Sequence, residues 1–170
     1  MERFPVLYSR RLVLRQLTID DIPWLVKYAN NKRISDSIIN IPYPFDEPDA
    51  VFRIAYVSRG FKTQKHFSFA IVLENAQHLI GEIGLHIQPE GNTGELGYWL
   101  GEPFWNTGLT TEAIGAILDF GFRKLGLDRI FAVCAQQNQA SIKVLEKNKM
   151  YRQLIAPGMY EYSITNSIYG

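Results

Sequence analysis

Cysteine is nearly absent: Cys134 is the one thiol among 170 residues, so no internal disulfide can staple the chain. It sits in the apolar run Ile130-Phe131-Ala132-Val133-Cys134-Ala135 and reads as core. An excess of one charge sign is missing too. Lys plus Arg number 18 and Asp plus Glu 17, a formal net charge of +1, so neither nucleic acid nor an anionic membrane is expected as a partner. No apolar stretch reaches the ~18 residues of a membrane span. Met1-Glu2-Arg3-Phe4-Pro5 has no apolar run behind a basic start, so export is not expected and the default location is cytoplasmic. Repeats, low-complexity tracts and linkers are lacking, and 1–170 reads as a single domain large enough to bury its own core. His66, His78 and His86 are scattered without the spacing of a metal site, and no metal is expected.

What is present is a clear alternation of periodicities. Residues 12–17 form an apolar first strand, after which Thr18 stands as an N-cap with Asp21 three residues on, in the manner of a capping box. Ile19, Ile22, Leu25, Val26 and Ala29 then recur at helical spacing. Ile41-Pro42-Tyr43-Pro44-Phe45 must be extended, because proline disfavours helix at the preceding residue; it reads as a loop packed on the core or as a lid facing substrate. Asp46-Glu47-Pro48-Asp49 is an acidic helix start, and that helix extends toward Arg59 with Gly60 as its stop.

From His66 the period becomes that of strands: 67–73, 79–88 and 94–100, joined by short turn-rich links. Such links imply an antiparallel meander. A helix over 108–124 follows, with Ile114, Ile117, Leu118, Gly121, Phe122 and Leu125 on one face and Gly126 as its end. A strand over 129–135 is apolar on both faces, a helix covers 139–149, and a last strand lies near 159–165. The fold class is α+β, a mostly antiparallel sheet with a parallel element late in the chain.

The segment from Glu102 to Ala113 leads from a strand into the long helix. A helix start leaves backbone N–H groups free and carries partial positive charge, which suits phosphate oxygens, and Gly108 lets the backbone come close to them. On local pattern alone, a tight turn with Thr110 as N-cap explains the same residues. A nucleotide-binding α/β protein is disfavoured, because no Gly-x-Gly-x-x-Gly loop follows the first strand.

Taken together, Gly94-Glu95-Leu96-Gly97-Tyr98-Trp99-Leu100, residues 105–113, Leu118-Asp119-Phe120-Gly121-Phe122, residues 125–130, Asn138-Gln139-Ala140-Ser141 and Leu145-Glu146-Lys147 resemble the GCN5-related N-acetyltransferases (GNAT). More narrowly they resemble the branch that acetylates ribosomal-protein N-termini. The openings Ser9-Arg10-Arg11-Leu12-Val13-Leu14-Arg15 and Gly81-Glu82-Ile83-Gly84-Leu85 fit as well.

The resemblance implies a twisted sheet flanked by helices in which the strand ending near Leu100 and the strand through Val133 splay apart around the pantetheine arm of acetyl-CoA. Backbone groups of Tyr98, Trp99 and Leu100 are then expected on the arm, and Trp105, Asn106, Thr107, Gly108, Leu109, Thr110 and Thr111 around the diphosphate. The loop departs from the family pattern. Relatives carry Gln or Arg at Trp105, Gly at Asn106, often a basic residue at Thr107 and Gly or Ala at Thr110, so weaker or altered cofactor binding, rather than none, is expected.

By the same resemblance an amine attacks the thioester directly in a ternary complex. Glu95 is the candidate base, acting directly or through water. Ser141 is the candidate to protonate the CoA thiolate, because Leu145 stands where many relatives have Tyr, and Asn138 orients the arm or caps the next helix. Tyr43, Phe45 and Trp99 are candidate walls of the acceptor pocket. The acceptor class is a primary amine, on a protein N-terminus or a small molecule, and the chain is expected as a monomer or homodimer. The rival is a non-catalytic GNAT-fold module that binds a CoA ligand.

Overall fold

The computed structural model describes residues 3–38 and 40–170; Met1 and Glu2 of the opening segment, and Ile39, lie outside them. Thr18 and Asp21 open the first helical unit as expected. The Thr18 N–H donates to Asp21 Oδ2 at 2.8 Å, and Arg15 grips the same carboxylate with both terminal nitrogens at 2.8 Å. A 3-10 turn, Ile19–Asp21, thus passes into α1, Ile22–Ala29, with Pro23 in the first turn, where its missing N–H costs nothing. A short helix α2, Lys32–Ser37, follows; its pattern is too brief to have been expected.

The link through Tyr43 and Phe45 is a loop that bends at Tyr43 and Pro44, with a cis bond between them. Asp46 then caps α3, Glu47–Lys62, its backbone N–H donating to Asp49 Oδ2 at 2.8 Å. Gly60 lies inside this helix rather than ending it. It is held there by contact, since a Cβ on Gly60 would stand 2.1 Å from the His66 ring.

Among the described residues eight strands make one sheet, in the order β1-β2-β3-β4-β5-β6-β8-β7. They are β1 Leu7–Tyr8, β2 Leu12–Arg15, β3 His66–Leu73, β4 Leu79–Gln88, β5 Thr93–Leu100, β6 Arg129–Ala135, β7 Tyr151–Ala156 and β8 Met159–Thr165. The expected strand over 12–17 stops at Arg15, where that side chain turns to Asp21. All neighbours are antiparallel except β5 and β6. The strand β7 was not expected, because all six of its residues are exposed and it carries no alternation of apolar and polar side chains.

The crossover from β5 to β6 is α4, Leu109–Asp119, continued by a π-helical turn, Phe120–Lys124. The N-cap is Gly108, not Thr110: Gly108 has φ 80°, and Glu112 N donates to its carbonyl at 3.1 Å. In the π turn Leu125 N reaches the Phe120 carbonyl at 3.1 Å, which aims Phe120 edge-on at Phe67 and Phe69. The next helix, α5, spans Gln139–Lys147, two residues shorter than expected, because Lys149 turns left-handed at φ 59°. A last turn, α6, covers Asn166–Tyr169.

Apolar residues fill both faces of the sheet. Ile114 and Ile117 of α4 pack with Leu14, Phe69, Ile83, Leu96 and Ile130, while Leu25 of α1 and Val57 of α3 pack with Phe45, Ala70 and Trp99. The two faces of β5 therefore look into different cores, with Tyr98 on the α4 side and Trp99 on the other.

Candidate active site

Strands β5 and β6 pair at only three positions, Thr93 with Arg129, Gly94 with Ile130 and Glu95 with Phe131. Beyond Glu95 they part, and residues 96–100 of β5 face a gap. The Gly101 N–H donates to the Ile80 carbonyl at 2.8 Å. Since antiparallel bonds alternate every two residues, the Trp99 backbone belongs to the ladder with β4, and of the three expected residues only Tyr98 and Leu100 turn backbone groups into the gap. This corrects the expectation of three consecutive residues on one arm. Leu100 is engaged further, its carbonyl accepting the Trp105 indole N–H at 2.6 Å.

At the far side of the gap, the Tyr98 hydroxyl donates to Ser141 Oγ at 3.1 Å. Burial pushes the Tyr98 phenol well above its ordinary pKa, against the effect of the Ser141 hydrogen bond, so it stays protonated. Asn138 caps α5 with its side-chain oxygen accepting from the Ser141 N–H at 3.1 Å. Cys134 lies buried nearby in β6, and burial raises its pKa.

The loop before α4 is built by its side chains as much as by Gly108. Trp105 turns inward to Leu100, with the Arg33 guanidinium 5.0 Å above its ring. Asn106 takes a left-handed backbone, φ 61°, a conformation that favours glycine. The Thr107 carbonyl accepts from Arg11 Nη1 at 3.0 Å. Glu112 is anchored by the Ser9 hydroxyl and the Arg11 backbone N–H, each at 2.6 Å, and by Arg11 Nε at 2.8 Å. Burial alone would raise the Glu112 pKa, but these hydrogen bonds outweigh it and hold the carboxyl below its ordinary value. The first N–H groups of α4, at Leu109, Thr110 and Thr111, have no acceptor within the helix. The Thr111 hydroxyl is buried without a partner.

The opposite face of the sheet carries a second polar group. Glu82, 2% exposed, accepts from the Trp99 indole at 2.7 Å and from Arg53 Nε of α3 at 3.0 and 3.1 Å. Trp99 is thereby a core residue holding Glu82, not a pocket wall. Gly84 pairs with Gly97 in the next row, and a Cβ on Gly97 would meet nothing, so the sheet is bare there. One row further, His66, His86 and Glu95 lie side by side on three strands. α3, which reaches His86 through Tyr56, borders a depression of about 410 Å³, lined by Pro42, Phe45, Phe52, Arg53 and Tyr56 among others. Phe45, although 1% exposed, forms part of its wall, whereas Tyr43 is 54% exposed and does not line it.

Sequence reasoning missed Glu82, Arg53, Tyr56, His66 and His86 as neighbours on one face of the sheet. One signal existed, because Glu82, Gly84 and His86 interrupt the same face of an otherwise apolar central strand. His78 stays apart, stacked on Trp24 at 3.9 Å. Among the described residues no three His, Cys, Asp or Glu side chains gather as a metal site, and no helix is long and apolar enough to cross a membrane.

A mixed sheet whose parallel pair opens beside the start of the crossover helix is what the resemblance to the N-acetyltransferases implies, and the comparisons agree. Residues 11–151 match the acetyltransferase (GNAT) domain family. The uncharacterized N-acetyltransferase p20 of Bacillus licheniformis is 30% identical over 140 residues, covering 82% of this chain and 78% of that protein. The uncharacterized N-acetyltransferase YoaA of Bacillus subtilis (strain 168) is 28% identical over 145 residues, covering 85% and 81%. An acetyltransferase of the GNAT family from Bacillus anthracis superposes with a TM-score of 0.83 at 25% identity, covering 96% of this chain and 99% of that one. RimL, the ribosomal L7/L12 alpha-N-protein acetyltransferase solved in complex with coenzyme A, reaches 0.83 at 19% identity, covering 95% and 98%; that likeness is one of fold. The chain belongs to the GNAT acetyltransferase family and is an N-acetyltransferase.

Proposed function

We propose that this chain transfers acetyl from acetyl-CoA to a primary amine by direct attack within a ternary complex, as one domain over residues 1–170. The observation that carries this is the gap where β5 and β6 part after Glu95, with the Tyr98–Ser141 pair on its far side. The pantetheine arm lies in the gap against the free backbone groups of Tyr98 and the N–H of Leu100, as an added strand would. The diphosphate meets the unpaired N–H groups from Leu109 to Thr111, and the residues from Trp105 to Thr107 shape that cradle rather than supply charge to it.

Acetyl-CoA then presents its thioester carbonyl between Glu95 and Ser141. An alkyl ammonium, pKa ~10.4, must lose a proton before its nitrogen can attack. Glu95 borders the point where the strands divide and holds the ammonium or receives its proton, directly or through water. Ser141 hands a proton to the departing sulfur, while Asn138 fixes the Ser141 backbone through the cap. A protein N-terminus and a small amine both meet this chemistry, and fold alone does not choose between them.

Calorimetric titration with acetyl-CoA and a steady-state assay over a panel of peptides and amines test the reading. Binding with turnover, and a Glu95→Gln variant that binds equally but turns over more slowly, support it. Binding without turnover on any amine supports instead a non-catalytic CoA-binding module, a reading favoured by Asn106 and the inward Trp105. Absence of binding at millimolar ligand overturns both.

A further inference from the structure

We propose that His86 and Tyr56 form the proton exit of the acceptor site, His86 taking the proton that the acceptor ammonium loses and Tyr56 passing it to solvent. The inference rests on the reading above that the amine arrives beside Glu95.

The register places His86 directly between His66 and Glu95 on one face of the sheet. The His66 and His86 rings lie 4.8 Å apart, and the Tyr56 ring stacks on His66 at 4.7 Å. From that stack the Tyr56 hydroxyl reaches 3.4 Å from His86 Nε2, and Tyr56 itself is 38% exposed at the border of the depression. One end of the row thus touches the acceptor side at Glu95. The other reaches water through α3.

His66 has no such route. It is 4% exposed, its Nε2 is buried without a partner, and its ring fills the space that a Cβ on Gly60 would need. It serves as a neutral bed for His86 and Tyr56. The charged and titratable groups around His86 are Glu95 from β5, His66 from β3, and Arg53 and Tyr56 from α3. Burial disfavours the His86 imidazolium, Glu95 favours it, and Arg53 opposes it, so the ring rests neutral near pH 7 with a lone pair to accept a proton.

Imidazole suits the task better than carboxylate alone. The neutral ring can take a proton on one nitrogen and release one from the other, so it passes a proton along where a carboxylate only holds it. Glu95 attracts the ammonium and His86 removes one of its protons, leaving the electron pair on nitrogen. That pair forms the N–C bond, the C–S bond breaks with its electrons on sulfur, and a second nitrogen proton reaches sulfur through Ser141. His86 then gives its Nε2 proton to the Tyr56 oxygen as Tyr56 releases its own to water. The balance is ammonium plus thioester to amide, thiol and one proton.

The test uses the full chain with any amine it acetylates, comparing wild type with His86→Gln and Tyr56→Phe across pH. For His86→Gln we expect kcat/KM for the amine to fall about 10²-fold at pH 7, with acetyl-CoA affinity retained by calorimetry. The deficit should shrink toward the pKa of the amine, because the nucleophile then arrives already deprotonated. Tyr56→Phe should lose activity in the same direction and to a smaller extent, and it carries the test if His86→Gln does not fold. A deficit equal at every pH, or none, overturns the relay while leaving acetyl transfer intact. If wild type binds acetyl-CoA but acetylates no amine, the proposed function fails and the relay with it.

Discussion

The Trp99 indole donates to Glu82 Oε2 at 2.7 Å, which gives a carboxylate only 2% exposed a neutral donor in addition to Arg53. The bond reverses the role that an aromatic residue at the end of β5 suggests. Instead of facing a substrate, Trp99 fills the core and fixes the carboxylate that orients Arg53 of α3.

Removing Arg53 leaves that buried carboxylate without a countercharge. Arg53→Met should destabilise by about 3–5 kcal/mol, whereas Trp99→Phe, which deletes one hydrogen bond to a charged group, should cost about 1.5–3 kcal/mol. Urea unfolding measures both. Equal, small losses for the two variants would show that Glu82 is not held as described.

Gly108 is the second critical position, for a different reason. At φ 80° a side chain is strained, and a Cβ there would stand 3.4 Å from Arg11 Nη2. Gly108→Ala should lower stability by about 1–2 kcal/mol and weaken acetyl-CoA binding more than it slows turnover at saturation. Retained affinity would move the diphosphate away from this helix start.

Asn138 and Ser141 share one cap and should separate by experiment. Asn138→Ala removes the acceptor of the Ser141 N–H and should cost about 1 kcal/mol of stability. Ser141→Ala keeps that cap, and should lower turnover by about 10²-fold with little change in acetyl-CoA affinity. Wild-type turnover in Ser141→Ala would exclude the hydroxyl from the chemistry.

His66 makes stability depend on pH. Burial first, then His86 and Arg53, push its pKa down to about 4. Between there and the ordinary value of ~6.5, the unfolded chain binds the proton and the folded chain does not. Its contribution is therefore complete above ~6.5 and is lost as pH falls toward 4, up to about 3 kcal/mol. Unfolding free energies at pH 7 and pH 5 should differ for wild type and differ less for His66→Gln. The same slope in both would assign the loss to other groups.

Features decided within a few residues were legible in the chain itself. The capping pairs Thr18–Asp21 and Asp46–Asp49, the apolar face of α4, the meander and the free N–H groups after Gly108 follow from periodicity and local hydrogen bonding. The order of motifs from Gly94 to Lys147 pointed to the family. Tertiary structure decided the rest, because register and packing join residues far apart in sequence. Arg53 meets Glu82 and Tyr56 meets His86 only because α3 crosses β4 at that register. Arg11 meets Glu112 only because β2 leads to the start of α4. Which side of β5 looks into which core, and hence whether Trp99 or Tyr98 borders the gap, depends on a pleat that places alternate residues on opposite faces. The chain specified the helix start at Gly108 and its chemistry; the parting of β5 from β6 beside it is a property of the assembled sheet.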